Sequence, residues 1–339
     1  MNEKMTKRER IHAAILGQEV DQTPVFLWRP FHNRDFDPEQ LARLTVEFQE
    51  QFDFDLVKLT PSTMYSAIDW GTVPHFYPGT DNPPAVETWG VEADKDWEKI
   101  EPLDVTQGRY GQELRGVSLV RQHLDPDTPF VQTLLSPMSV AMKLAGNFAI
   151  ASARRGLPQL HDALDAICDT TVRFASKCME AGADGFMYCI LCASSDLLTR
   201  DEYREWGRQY DLRILDALAQ MGATVFAHLH GRNLHFEDVL DYKIHVLNWH
   251  DRGTYPTLAE ARKLTGVCLA GGIDQVDTLM NGTVAEVRAQ AKDAVCQCGG
   301  KGLIVSSGCV VPPGCTEEKY KAVAEAVRSC KPGERFTVD

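Results

Sequence analysis

The sequence predicts an α/β fold, a (β/α)8 barrel in which eight parallel strands alternate with helices. Two observations support this prediction. Short apolar, β-rich runs alternate with longer amphipathic segments along the 339 residues, and eight is the number of strands that closes such a barrel. We expect residues 1–339 to form one domain. The predicted strands are residues 23–28, 56–61, 130–137, 185–190, 224–230, 246–251, 268–273 and 303–309.

Helix starts are marked between these strands. Asp37 precedes Pro38, and proline is favoured at the first position of a helix. Four Thr-x-x-Glu spacings predict capping boxes, in which the two side chains satisfy free N–H groups of the first turn; they begin at Thr6, Thr199, Thr257 and Thr283. After the fourth strand, apolar side chains recur every three or four residues and predict one buried helix face, formed by Tyr203, Trp206, Tyr210, Ile214 and Leu218.

Residues 62–110 are too long for a simple connection between a strand and a helix. The segments WGTVPHFYPG (70–79) and AVETWGVE (85–92) predict an inserted hairpin over the mouth of the barrel. A doubly wound open sheet is the alternative fold. Its dinucleotide-binding form is disfavoured because no GxGxxG pattern follows the first strand.

Composition excludes some classes of function. The chain has 35 Lys and Arg against 48 Asp and Glu residues, a formal net charge of −13, which argues against nucleic acid or an anionic membrane surface as the main partner. No apolar run is long enough to span a bilayer. The start MNEKMTKRER lacks the apolar core of a secretory signal. We therefore expect a cytoplasmic protein whose ten cysteines are reduced.

The candidate site lies at the carboxyl ends of the predicted strands, where barrels place their active sites. His228 and His230 end the fifth strand, and residues two apart on a strand share a face. Cys309 ends the eighth strand inside SSGCVVPPGC. Two imidazoles and a thiol are zinc ligands that leave a fourth position open. The alternative is two polar strand-end histidines and an unrelated core cysteine.

Other strand-end residues complete the prediction. His250 is a candidate proton shuttle and Asp251 a candidate carboxylate that orients a ligand histidine, although adjacent strand residues face opposite ways. The CxxC pair Cys189 and Cys192 is more readily explained as pocket lining than as a zinc site, since no second CxxC exists. The candidate substrate contacts are Trp28, Arg29, Ser136, Tyr188, Cys189 and Asp274.

Five segments together resemble the uroporphyrinogen decarboxylase superfamily over nearly the whole chain. They are TKRERIHAAILGQEVDQTPV, SPMSVAMKLAG, EAGADGFMY, LAGGIDQVDTLMNGT and SSGCVVPPGCTEEKYKAVAEAV. The resemblance implies a (β/α)8 barrel. The branch that decarboxylates a polycarboxylate tetrapyrrole carries an Arg-rich segment after strand one, an aspartate near the end of strand two and a late Gly-His-Gly. Here the equivalents are WRPFHNR, LTPS and SGC, which weakens that assignment.

The chain is more similar to the zinc-dependent cobamide methyltransferase branch, whose ligands form a His-x-Cys pattern and a distant Cys. The resemblance places these ligands on His228, His230 and Cys309, with His230 in place of the usual cysteine. An imidazole in place of a thiolate would leave the zinc a stronger Lewis acid, so we expect methyl removal from a methylated heteroatom, such as an aryl methyl ether or methylamine, to a cob(I)amide.

Three functions remain open at this point. The first is zinc-dependent methyl transfer between a small substrate or thiol and a corrinoid protein. That partner would carry the cobalamin, because no Asp-x-His-x-x-Gly motif is present here. The second is a metal-free carboxy-lyase in which the histidines act as acid, base or carboxylate-binding groups. The third is a non-enzymatic metal- or corrinoid-binding barrel. The resemblance also implies a homodimer.

Overall fold

A computed structural model describes residues 4–330 of the chain. Seven parallel strands form one curved sheet in the order β1-β4-β5-β6-β7-β8-β9, and β2 pairs with β3 in a separate antiparallel hairpin. The strands are β1 Val57–Leu59, β2 Val73–His75, β3 Ala85–Thr88, β4 Phe130–Leu135, β5 Gly185–Ile190, β6 Thr224–Leu229, β7 Val246–Trp249, β8 Cys268–Ile273 and β9 Leu303–Ser307.

The sheet strands alternate with helices along the chain. Because parallel neighbours need a crossover connection, the helices carry the chain back from the carboxyl end of one strand to the start of the next. The helices are α1 Lys7–Ile15, α2 Pro38–Phe52, α3 Tyr65–Ile68, α4 Gly108–His123, α5 Pro137–Ala145, α6 Asn147–Arg154, α7 Pro158–Glu180, α8 Arg200–Tyr203, α9 Gln209–Gln220, α10 Leu258–Leu264, α11 Val284–Cys298 and α12 Glu317–Ser329, with short 3-10 turns at Asp94–Lys99 and Phe236–Val239.

The predicted helix starts are confirmed. Thr6, Thr199, Thr257 and Thr283 each cap a helix through a complete capping box. Asp37 caps α2 by accepting hydrogen bonds from the next two N–H groups after Pro38. The predicted apolar face after β5 is buried from Tyr203 to Leu218. A π-helical turn at Arg204–Arg208 joins α8 to α9 within that face.

Seven of the eight predicted strands are confirmed, and the first is wrong as a strand. Residues 23–28 make one parallel bridge, between Val25 and Val305 of β9. On the other side, the Asp55 N–H donates to the Val25 carbonyl over 2.9 Å. The Val25 N–H donates to the Asp55 carboxylate instead of a neighbouring strand, and Pro24 has no N–H to offer. Regular pairing is therefore interrupted between β9 and β1.

The predicted hairpin is confirmed as β2 and β3, with an irregularity in register between Val73 and Pro74. Val86 of β3 and Trp89, which follows β3, line a cavity of the molecule. The apolar core lies between the sheet and its helices and includes fully buried Trp97, Trp206 and Trp249. Within residues 4–330, no helix combines the length and the apolar character that crossing a membrane requires.

Candidate metal centre

Four possible metal ligands meet at the carboxyl ends of three strands. His228 lies on β6, His230 follows its end, His250 follows β7 and Cys309 follows β9. One ligand atom from each side chain lies within 4.8 Å of the others. The structure thus brings together the three predicted ligands and adds His250, which the sequence had suggested as a proton shuttle.

Three of the distances between the ligand atoms are close to those of a tetrahedral zinc site. Cys309 Sγ lies 3.7 Å from His228 Nε2 and 3.9 Å from His230 Nδ1, and His250 Nε2 lies 3.3 Å from His230 Nδ1. Ordinary zinc bond lengths and tetrahedral angles place two nitrogen ligands about 3.3 Å apart and a nitrogen and a sulfur about 3.6 Å apart. The four side chains can therefore hold such an ion with little movement.

A buried asparagine orients His228. Asn248 lies beside His228 in the parallel register of β6 and β7, and its Nδ2 donates to the carbonyls of Ala270 and Ser307 over 2.9 and 3.1 Å. These bonds turn the Asn248 Oδ1 toward His228 Nδ1, 2.6 Å away. Because this oxygen can only accept, the proton of neutral His228 lies on Nδ1. The lone pair of Nε2 is left facing Cys309.

His250 and Cys309 come close because of one glycine. A Cβ added at Gly308 would lie 2.9 Å from His250 Cα and 3.0 Å from the Trp249 carbonyl. Only glycine lets the turn after β9 lie directly against the end of β7. The side-chain amide of Gln275 lies 3.2 Å from His250 Nδ1. Since an amide presents a donor at one end and an acceptor at the other, Gln275 can orient either tautomer of His250.

The environment keeps all three histidines neutral. Burial, followed by the nearby His230 and His250, lowers the pKa of His228 to about 3. Burial and the neighbouring His230 lower the pKa of His250 to about 4. Desolvation and the charge of Lys143 lower the pKa of His230. Near neutral pH the imidazoles therefore present free lone pairs rather than protons, as metal ligands must.

A cavity of about 600 Å³ opens over three of the four side chains. Its walls are largely apolar and include Trp28, Met142 and Val310, together with Trp89 from the segment that follows β3. His228, His230 and Cys309 form part of its wall. A ligand atom that enters this cavity can thus reach the metal centre.

The family is established by comparison over nearly the whole chain. A family model described as uroporphyrinogen decarboxylase matches residues 6–330. The chain belongs to the uroporphyrinogen decarboxylase family. This confirms the superfamily resemblance inferred from the five sequence segments.

The proteins that are similar to this chain include enzymes named as methyltransferases. The methylcobamide:CoM methyltransferase MtbA of Methanosarcina mazei is 22% identical over 85% of this chain and 88% of its own. The methylcobamide:CoM methyltransferase MtaA of Methanosarcina barkeri is 24% identical over 95% and 98%. A solved methyltransferase from Methanosarcina mazei superposes with a TM-score of 0.81, at 22% identity over 96% and 98% of the two chains. That likeness shows a shared fold.

Two of the predicted substrate contacts, Trp28 and Cys189, line the cavity beside the candidate metal centre. The other four do not lie on its wall. Ser136 is buried, with its hydroxyl 2.6 Å from that of Ser139. The remaining three contact other parts of the protein: Arg29 lies over the Phe31 ring, Tyr188 donates to Asp211 and Asp274 accepts from the backbone of Val276.

Strand alternation explains the different positions of Tyr188 and Cys189. Neighbouring residues on a strand face opposite sides, so Cys189 faces the cavity and Tyr188 faces the helix layer. Cys189 also pairs in register with His228 on β6. The two predicted catalytic residues, which follow the end of β7, are also separated. His250 joins the ligand cluster, whereas Asp251 is buried and accepts the Gly272 N–H over 3.0 Å.

Several residues at the site had not been predicted from the sequence. Lys58 and Asn248 are polar residues within strands that are otherwise apolar, which is a signal that they face an interior site. Asp35 lines the cavity with both carboxylate oxygens unpaired, and Lys143 reaches it from α5. The sequence pattern carries no comparable sign for the last two residues, because a loop and a helix bring them to the cavity.

Proposed function

We propose that this protein is a zinc-dependent methyltransferase that moves a methyl group between a small substrate and a corrinoid carried by a partner protein. His228, His230 and Cys309 would hold the zinc, and His250 would occupy the fourth position until substrate displaces it. Zinc bound there would act as a Lewis acid on the heteroatom that carries the methyl group. The similarity to methylcobamide:CoM methyltransferases supports corrinoid-dependent methyl transfer.

The observation that carries the proposal is the geometry of the four ligand atoms. Three nitrogens and one sulfur lie within 4.8 Å of one another, and the three separations of 3.3, 3.7 and 3.9 Å are close to those of tetrahedral coordination by zinc. The donor set of imidazole and thiol also matches the chemistry of zinc better than that of magnesium or calcium, which prefer oxygen. The absence of carboxylates from this cluster disfavours magnesium and calcium.

The protein's own residues would prepare the site. Asn248 keeps the proton of His228 on Nδ1, so that Nε2 is available for coordination. Burial raises the pKa of the Cys309 thiol, while the nearby Lys58 charge and the Val310 N–H lower it. These two groups favour the thiolate that coordination requires. The apolar walls of the cavity exclude water around the group that reacts.

We further propose that the reaction runs from a methylated substrate to the corrinoid. A donor set with one thiolate favours polarising a methylated oxygen or nitrogen, whereas two thiolates would favour holding a nucleophilic thiolate substrate. The methyl group would pass to the cob(I)amide, and its bonding electron pair would stay with the heteroatom of the departing product. The substitution of cysteine by His230 in the family pattern is the feature that motivates this direction.

The test compares the two directions on protein of known zinc content. We expect zinc-loaded protein to form methylcobalamin from cob(I)alamin and a panel of aryl methyl ethers and methylamines. Cys309→Ser should lose zinc and this activity, whereas Cys296→Ser, which replaces the sulfur of a cysteine outside the cluster, should keep both. Turnover of methylcobalamin with a thiol, without the forward reaction, would contradict the proposed direction.

Two structural proposals accompany this function. Residues 23–28 lie between β9 and the start of β1 and form backbone hydrogen bonds with both. These bonds support the proposal that the segment takes the place of the eighth strand in a closed (β/α)8 barrel. The corrinoid protein would dock over the cavity mouth, because the cavity is where a methyl group could leave the metal centre. The single domain and the homodimer stay predictions from the sequence.

A further inference from the structure

Two lysines line the cavity beside the candidate metal centre. Lys58 lies in the middle of β1 and is 9% exposed. Lys143 lies on α5 and reaches the same cavity. Charge interactions link Lys58 with His228 and Cys309, and Lys143 with His230. Both ammonium groups therefore lie close to the place where substrate would meet the metal.

Neither lysine has an acidic partner in the part of the chain that the structure describes. Lys58 Nζ lies 3.4 Å from Thr60 Oγ1 and 5.6 Å from the centre of the Trp28 ring. The Lys143 ammonium makes no hydrogen bond and no ion pair with residues 4–330. A buried charge is costly without a counter-charge. Lys58 is buried and Lys143 is half-buried at this one cavity, and burial lowers the pKa of both. A ligand that supplies the missing anion would favour the charged form of each lysine.

The remaining groups on the cavity wall do not supply it. Asp35 is the single carboxylate on that wall among the described residues, and it forms no ion pair with either lysine. Burial raises the pKa of Asp35 to about 7, so it carries only part of a negative charge near neutral pH. A metal ion bound by neutral imidazoles and one thiolate would add further positive charge. The cavity thus favours an anion.

We propose that the substrate carries one anionic group, a carboxylate or sulfonate, which Lys58 and Lys143 bind while its methylated heteroatom faces the metal centre. The proposal rests on the proposed function for the identity of the reacting group. The anion-binding site itself rests on the two lysines. The substrates would then be small methylated monoanions with an apolar body.

The walls of the cavity fit the rest of such a molecule. Apart from the two lysines and the metal centre, the side chains around it include Trp28, Trp89 and Leu135, which suit an aromatic or aliphatic body. Two lysines can balance one anionic group, whereas a polycarboxylate tetrapyrrole would leave most of its carboxylates in contact with apolar walls. The cavity therefore favours a monoanion over the tetrapyrrole substrate of the decarboxylase branch.

The test measures binding by calorimetry with three probes of similar shape. They are 4-methoxybenzoate, 4-methoxybenzenesulfonate and the neutral 4-methoxybenzyl alcohol, each added to zinc-free and zinc-loaded protein. At least one anion should bind about tenfold or more tightly than the alcohol, since a hydrogen bond to a charged group is worth at least that factor. The two anions separate a carboxylate site from a sulfonate site.

Variants assign the preference to the lysines. Lys58→Met and Lys143→Met should each weaken anion binding about tenfold and change alcohol binding by less than about twofold. Lys99→Met, at a side chain that is 70% exposed, should change neither. Lys58→Arg should keep most of the preference because it keeps the charge. Circular dichroism and zinc content establish that each variant is folded and retains its metal site.

Three results would overturn the proposal. They are equal binding of anions and alcohol, no measurable binding of either anion up to millimolar concentrations, and an anion preference that survives both methionine variants because the metal alone supplies it. The outcome is separable from that of the proposed function. Anion binding by protein that transfers no methyl group would remove the methyltransferase proposal alone, and transfer from neutral donors without any preference would remove this one alone.

Discussion

The two ends of the parallel sheet treat buried charge in opposite ways. At the end where the strands begin, buried Arg10 bonds to Asp55 over 2.5 Å and to Asp21 over 2.7 and 2.8 Å. Asp55 also accepts the Val25 N–H. On the cavity side of the sheet, Lys58 of β1 and Asp35 are also buried but have no ion-pair partner among residues 4–330. Charges that the protein pairs stabilise the fold, and charges that it leaves unpaired are available to ligands.

This division agrees with the general behaviour of barrel-like α/β proteins. Residues at the start of the strands serve stability, and residues at the carboxyl ends serve binding and catalysis. Arg10, Asp21 and Asp55 join α1 to the segment that precedes β1 and, through the Val25 N–H, to residues 23–28. They therefore stabilise the region where strand pairing is irregular. The comparison leads to four predictions, which separate stability from activity.

The largest effect is expected at the carboxyl ends. His228→Ala should remove zinc and reduce methyl transfer about 1000-fold or more, because the proposed zinc that would polarise the substrate loses one of its ligands. The free energy of unfolding of zinc-free protein should change by no more than about 2 kcal/mol. Zinc analysis, the methylcobalamin assay and urea unfolding measure the three quantities.

The matched control is His123→Ala, at an exposed histidine near the end of α4. It should leave zinc content, activity and stability unchanged. If His228→Ala kept its zinc and its activity, the metal centre would not be the reactive site. The carboxyl ends of the strands would then not be shown to serve activity.

The next effect is expected at the start of the strands. Arg10→Met should lower the free energy of unfolding by about 3–5 kcal/mol, because Asp55 would be left as a buried charge without its partner. Burial raises the pKa of Asp55 even with Arg10 present, which shows how strongly the site disfavours an unpaired carboxylate. Urea unfolding measures the loss, and the activity per folded molecule should stay within about twofold of the parent protein.

Two variants frame this result. Arg173→Met changes an exposed arginine on α7 and should cost less than about 0.5 kcal/mol. Lys58→Met removes an unpaired buried charge and should leave the free energy of unfolding unchanged or raise it by about 1 kcal/mol. A loss at Lys58→Met as large as that at Arg10→Met would mean that both ends pair their charges, contrary to the comparison.

Much of the fold could be predicted from local patterns. Capping boxes, apolar periodicity and the alternation of strands with helices are written within short segments, and the structure has seven of the eight strands. The exception, residues 23–28, depends on Asp55, a residue 30 positions from Val25. No local pattern shows that a distant carboxylate takes the N–H that a strand would use. The π-helical turn at Arg204–Arg208 likewise could not be predicted from the spacing of apolar residues along a helix.

The site was predictable where strand geometry decides it. The two-residue period placed His228 and His230 on one face, and the parallel sheet placed Cys309 near them. The period could not tell Tyr188 from Cys189, because the inward face of a strand depends on its register with its neighbours. Lys143 and Trp89 come from a helix and from the hairpin insertion, whose positions over the cavity depend on long-range packing.

A smaller effect is expected from the unpaired carboxyl at the cavity. Folded Asp35, with its pKa raised to about 7 from an ordinary 3.8, holds a proton that the unfolded chain loses near pH 4. The folded state therefore binds more protons between these values, and its stability falls as pH rises from about 4 to 7. Asp35→Asn should remove this loss and raise the free energy of unfolding at pH 8 by up to about 4 kcal/mol.

Urea unfolding at pH 5 and pH 8 measures this change. The advantage of Asp35→Asn over the parent protein should be clearly larger at pH 8 than at pH 5. Asp277→Asn, at an exposed aspartate, should show no such trend. An advantage that is independent of pH would mean that Asp35 is already ionised when the protein is folded, and the cavity would then carry a full negative charge.

The finest prediction concerns the way in which the carboxyl ends keep a ligand ready. Asn248→Ala removes the acceptor that holds the proton of His228 on Nδ1, and the proton can then move to Nε2, the atom that faces Cys309. Zinc affinity should fall about 10- to 100-fold, the usual cost of losing a partner that orients a metal ligand. Competition with a chelator measures the affinity, and Asn281→Ala, which truncates an exposed asparagine, should leave it unchanged.

The ¹⁵N chemical shifts of His228 in the zinc-free protein decide the cause. If His228 kept its proton on Nδ1 in Asn248→Ala while zinc affinity fell, Asn248 would act by packing alone; a shift of the proton to Nε2 would establish that a neutral amide, rather than a charge, prepares this end of the sheet for its metal.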